Sequence, residues 1–313
     1  MVIAVLAALA AGACFAAAGV LQQRAASEQP RDESLSPRLI AALARERRWL
    51  AGIGLAVVSY AFQALALAYG ALAVVQPLIV TELIFAIPLS ARIRGRRIGP
   101  REWGGAVVVA SGLALAIAAA DPRGGSALAA IGQWLYVLPA AAAIALVAAL
   151  VGRKVPGRMR AAVFGAAAAV TMGAQSALLQ STSKVFEGGV VAGLTSWQPY
   201  VMAAFSFGGL LLVQSAFQAG PLAISLPVID VVEPTTAVVI GIAIFGDRVN
   251  LSPGALGLTA IAIVALVGGI VLLDTSPLVR DLYRAERRDA SPTAVRGTGP
   301  DVKPSPTQAR VRP

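Results

Sequence analysis

The sequence predicts an all-α integral membrane protein with nine transmembrane helices, and three observations carry that expectation. Of its 313 residues 57% are apolar and 13% charged, with a mean hydropathy of +0.75, whereas roughly a quarter of residues in soluble domains are charged. Apolar runs recur nine times between short polar breaks, each near the length of about 20 residues that a helix needs to cross a bilayer. The basic residues also sort by connection: 23 of the 26 fall in alternate loops and the C-terminal tail, and 3 in the others. Cytoplasmic loops are the ones that collect lysine and arginine.

Residues 2–22 form the first span. No basic leader precedes it and nothing after it reads as a mature soluble domain, so retention in the membrane is expected rather than cleavage. The polar stretch to Arg48 holds Pro30 and Pro37 and reads as a loop with an interfacial helix at 36–46. Spans two and three, 49–69 and 73–92, are joined at Tyr69-Gly70-Ala71-Leu72, which leaves room only for a tight turn. A basic loop from Arg92 to Arg101 leads to span four at 103–120, and Asp121-Pro122-Arg123 closes it. Spans five to nine follow at 127–151, 160–182, 197–218, 221–245 and 254–273. Past Asp274 the chain turns to Pro, Ser, Thr and Arg, which reads as a short basic helix at 277–288 and then disorder. The charge split puts the N-terminus outside and the C-terminus in the cytoplasm of a multi-pass plasma-membrane protein.

Composition also excludes several classes. Cys14 is the single cysteine and there is no histidine, which removes an intrachain disulfide and the commonest transition-metal ligand. The net charge of +10 orients the chain in its bilayer and is not a nucleic-acid surface. No nucleotide loop, nucleophile triad or metal-ligand spacing occurs, which argues against an ATP-driven pump and against an enzyme, and calls for no resident cofactor.

Shifting the chain by 150 positions places Gly70, Leu72, Ala73 and Pro77 on Gly220, Leu222, Ala223 and Pro227, and one further step places Glu82 on Glu233. The topology makes the two copies inverted. The expected plan is therefore four spans (repeat one, 1–120), a bridging span (126–151) and four more (repeat two, 160–273), with a basic tail at 274–313.

Two hairpins, ALAYGALAVVQPLIV at 66–80 and SAFQAGPLAISLPVI at 215–229, are each followed by a short polar loop, RGRRIGP and FGDRVNLSPG, and a glycine-rich span. In these the chain resembles the drug/metabolite transporter (DMT) superfamily, EamA-like, and in span order it is similar to the NIPA-type branch linked to magnesium transport. The resemblance covers residues 1–273 and implies a transporter fold of inverted repeats. The Gly-Glu that usually follows the hairpin is replaced here by Arg94-Gly95-Arg96 and Gly246-Asp247-Arg248.

Of the sixteen acids only Glu82, Asp230 and Glu233 fall in mid-span, where a carboxylate costs about 2.5–3.5 kcal/mol even on insertion scales. Asp230 and Glu233 share a helix face at i and i+3. Neighbouring carboxylates at that depth call for a proton or a cation among them. Pro234 and Pro227 also remove the backbone partners of the Asp230 and Ala223 carbonyls, and carboxylates with bare carbonyls suit a hard cation such as Mg2+. The alternative is that these acids are protonated struts. Gln63, Gln76, Gln175, Gln214 and Gln218 are further intramembrane polar residues, with Tyr60, Thr171 and Ser176; they line a polar cavity or bond helix to helix. Two functions remain: a secondary transporter moving a divalent cation or a small, proton-coupled solute by alternating access, or a non-transporting membrane scaffold. The expected partners are the lipid bilayer and that substrate.

Overall fold

The structure, a computed structural model, describes residues 2–30, 33–69, 78–79, 81–93, 95, 97–120, 129–246 and 248–277. All regular elements in these residues are helices. They are α1 (Val2–Ser27), α2 (Pro37–Leu43), α3 (Arg47–Tyr69), α4 (Glu82–Ile93), α5 (Pro100–Ala120), α6 (Ile131–Lys154), α7 (Gly157–Glu187), α8 (Val190–Thr195), α9 (Gln198–Ala219), α10 (Leu222–Ile240) and α11 (Pro253–Asp274). A π-helical turn, Gly241–Phe245, prolongs α10. Among the described residues seven of these helices are long and apolar enough to cross a membrane: α1, α5, α6, α7, α9, α10 with its π turn, and α11. The chain is thus a multi-pass, all-α membrane protein.

The second expected span coincides with α3, which has 23 residues. The third, expected at 73–92, is helical as α4 from Glu82 onward, and α4 has 12 residues. Of its earlier part only 78–79 and 81 are described; the turn at 70–72 lies outside the described residues, as do 278–288 of the expected basic helix and the tail beyond. The interfacial helix at 36–46 is α2, started by Ser36, whose hydroxyl accepts from the Arg38 amide at 3.3 Å, and by Pro37 in its first turn. Leu39 and Leu43 bury its apolar side. The sixth span, expected at 160–182, is longer: α7 has 31 residues. Gly188 caps it and Gly189 comes next at φ 108°, a backbone angle that favours glycine.

Packing is by close approach, since lipid offers no hydrophobic drive between helices. Gly105 and Gly112 of α5 receive α11: a Cβ at Gly105 would lie 3.3 Å from the Gly269 carbonyl oxygen, and one at Gly112 would lie 3.2 Å from that of Ala262. Gly165, Ala169 and Gly173 form a stripe at i, i+4 and i+8 on α7, and α10 lies along it. A Cβ at Gly165 would meet the Ser225 carbonyl at 3.2 Å, and one at Gly173 the Glu233 carbonyl at 2.8 Å. The contacts have a repeating plan. Helix α1 packs on α3 and α4, and α7 packs on α9 and α10; α5 lies against α11, and α4 touches α10. Helix α6 closes against α7, where Trp134 meets Trp197 and Phe245 edge to face at 5.6 and 5.8 Å.

Candidate functional site

Helix α10 is apolar throughout except for Ser225, Asp230, Glu233 and the two threonines after Pro234. The imide nitrogen of Pro234 has no hydrogen to give the Asp230 carbonyl. Thr235 and Thr236 meet the next two carbonyls with their hydroxyls, donating to Val231 O at 2.7 Å and to Val232 O at 2.8 Å. The helix therefore continues past a proline, with polar backbone exposed at the level of the acids. Asp230 stands eight residues beyond Leu222, about 12 Å of rise into the helix.

Glu82 arrives from α4. Thr81 precedes the helix and donates its hydroxyl to Leu78 O at 2.6 Å, which puts Glu82 in the first turn, where the helix dipole favours an acid. Gly12 of α1 makes room for it: a Cβ there would lie 3.0 Å from Ile79 O and 3.4 Å from the Glu82 amide nitrogen. Glycines thus bring the backbones of both acid-bearing helices close, Gly12 at Glu82 and Gly173 at Glu233.

The three mid-span acids come together. The Glu82 carboxyl lies within hydrogen-bonding reach of that of Asp230, and Glu233 lies within electrostatic reach of both. Two carboxyl groups bond to each other only through a proton, so this pairing is open to them only while one of the two is protonated. Asp230 Oδ2 is buried and receives no hydrogen bond from an amide or hydroxyl. All three side chains are partly buried, and among the described residues no lysine or arginine acts on them. Among the described residues no three His, Cys, Asp or Glu side chains are grouped as a metal site would group them.

The glutamines divide. Gln214 is fully buried and donates to Gln22 Oε1 on α1 at 2.8 Å. Gln218 donates to the backbone oxygens of Gln29 and Pro30, at 3.3 and 2.6 Å. Both are helix-to-helix struts where α9 meets the end of α1, so the structure does not bring them to the acids. Gln63 on α3 and Gln175 on α7 are partly buried; Gln76 lies outside the described residues. Sequence reasoning took Gln22 and Gln23 as a span end, yet Gln23 is buried and its amide faces Phe217 O and Gly220 O at 3.4 and 3.2 Å. Their position at the rim of an apolar run gave no sign of a partner 190 residues away.

The chain is 30% identical over 251 residues to the uncharacterized protein Cgl0250/cg0304 of Corynebacterium glutamicum, a match covering 79% of this chain and 86% of that protein. The chain belongs to the Cgl0250/cg0304 family. No family model matches it, and neither does any solved structure. A shared stretch of that length runs through most of the helical bundle, so the Cgl0250/cg0304 family shares this membrane core and not merely a tail.

Proposed function

We propose that the protein is a secondary transporter of the drug/metabolite superfamily type, moving a small solute against a counterflow or coflow of protons. The observation that carries this reading is the carboxyl pair of Glu82 and Asp230. It joins the two helices that the sequence shift made equivalent, and it sets titratable groups together within an apolar bundle, where ionisable groups are expensive and are retained for ion pathways. The packing plan supports an inverted repeat of α1, α3, α4 and α5 with α7, α9, α10 and α11, bridged by α6. Each repeat builds the same partnerships, and equivalent helices meet across the centre, α4 with α10 and α5 with α11. Alternating access then consists of the two repeats rocking about the acid pair. The 23-to-3 distribution of basic residues supports nine spans with the C-terminus in the cytoplasm.

The test is uptake into proteoliposomes loaded with a pH-sensitive dye, screened over radiolabelled amines, amino acids, sugars and divalent cations, with and without a pH gradient. At least one solute is expected to move protons in a protein-dependent manner. Solute flux indifferent to the gradient, or Mg2+ flux without proton flux, overturns the proton-coupled reading.

A further inference from the structure

One turn of α1 holds two other helices at the level of the acids. On one side Ala11 O accepts the Ser59 hydroxyl of α3 at 2.6 Å, and Phe15 meets the Tyr60 ring edge to face, centroids 5.0 Å apart at 86°. On the other, Gly12 lies against Ile79 and the Glu82 amide nitrogen. Residues 11, 12 and 15 therefore hold α3 at Tyr60 and α4 at Glu82 to the same turn of α1. Tyr60 is thirteen residues into α3 from Arg47 and nine from Tyr69, so its hydroxyl sits at mid-helix, where a polar group needs a protein partner because the lipid supplies none. The side chain is 60% exposed, so the ring is not part of the packed core. The polar groups within its electrostatic reach are Glu233 and Glu82.

We infer that Tyr60 is a positioning residue of the acid site, its ring pinned by Phe15 and its hydroxyl presented to the carboxyls of Glu82 and Glu233. The phenol closes a polar ring whose members come from α3, α4 and α10, and so from both halves of the bundle. It donates to a carboxylate oxygen when the acids are ionised and accepts from a carboxyl when they are protonated, which a phenylalanine does in neither state. The titratable groups facing it are Glu82 from α4 and Asp230 and Glu233 from α10; α1, its main packing partner, brings only the Cys14 thiol to this level. This role deepens the proposed function, since it concerns the same protonatable site.

Its test does not depend on a known substrate. Ultraviolet difference spectra of the purified protein, recorded as the pH is raised from acid to mildly alkaline, are expected to show a tyrosine band as the acids ionise. The band should vanish in Tyr60→Phe and persist in Tyr136→Phe, a control on an exposed residue of α6. Because Tyr60→Phe can also fail by misfolding, a second variant keeps the tyrosine and removes the acids: Glu82→Gln/Glu233→Gln should lose the band as well. A band that survives in either variant overturns the assignment of Tyr60. Proton flux in proteoliposomes separates the two readings, because a band that responds to the acids in a protein that moves no protons sinks the transporter while Tyr60 keeps its place.

Discussion

Two polar clusters lie inside this apolar bundle, and they are built in opposite ways. Where α1 meets α9, the groups are neutral amides, the side chains are buried, and their amide nitrogens face oxygens across the helices: Gln214 to Gln22, Gln218 to Gln29 and Pro30, Gln23 to Phe217 and Gly220. Where α4 meets α10, the groups are ionisable, only partly buried, and turned on one another. A satisfied amide costs little at depth and ties two helices together. A carboxyl pair costs more, does not hold its helices in both charge states, and changes its bonding whenever a proton leaves. The first cluster is built as a fastening; the second has bonding that depends on its charge state.

The sharpest way to break this contrast is to make the second cluster resemble the first. Asp230→Asn, Glu233→Gln and Glu82→Gln keep size and hydrogen-bonding capacity but cannot ionise. Each is expected to abolish proton-linked uptake while the protein still inserts and purifies as a single species. Full uptake in all three would show that the acids are struts, as the glutamines are.

A smaller effect is expected from the packing beneath the acids. In Gly173→Leu the first added carbon would sit 2.7 Å from Thr236 Cβ and 2.8 Å from Glu233 O. Overpacking of this kind costs about 1–3 kcal/mol, and here it also pushes Glu233 away from Glu82. Thermal unfolding in detergent should fall and uptake with it, whereas Gly257→Leu, where the added carbon has open space on α11, should leave both unchanged. Equal losses from the two glycines would mean that α10 is not positioned by α7.

The least change belongs to the fastening. A double-mutant cycle of Gln22→Leu and Gln214→Leu should give a coupling of about 0.6 kcal/mol, the mean for interhelical hydrogen bonds in membranes, with proton coupling per solute unaltered. If the cycle abolishes coupling to protons, the amides belong with the acids after all.

The acids were legible because carboxylates are so rare at mid-span that Glu82, Asp230 and Glu233 stood out without any structure. Their meeting was foreshadowed by the register that laid Glu82 on Glu233. What the sequence hid was partnership. Gln214 and Gln218 share a helix face with the same chemistry whether they line a cavity or tie α9 to α1, and only the neighbouring helix decides. The end of α7 was hidden for another reason: from Ser183-Lys184 onward the chain reads as a loop by polarity, yet helix persists to Glu187, and the Ser183 hydroxyl donates to Leu179 O at 2.9 Å. Glu102, which polarity put at a span end, is buried and accepts the Gly99 amide at 2.9 Å, closing the start of α5.

The π turn at Gly241–Phe245 sets the angular phase of the residues at the far end of α10. Its hydrogen bonds close on the fifth residue instead of the fourth, so α10 carries one residue more than a regular thread of that length would need. Everything up to Ile240, the acids included, keeps the phase imposed by α7, while Phe245 and the left-handed Gly246 beyond it are turned back by about 100° relative to an unbroken helix. Phe245 thereby lands on Trp134 of α6. The spare residue uncouples two alignments that a straight helix would force to agree, one at the three acids and one at Trp134 of α6.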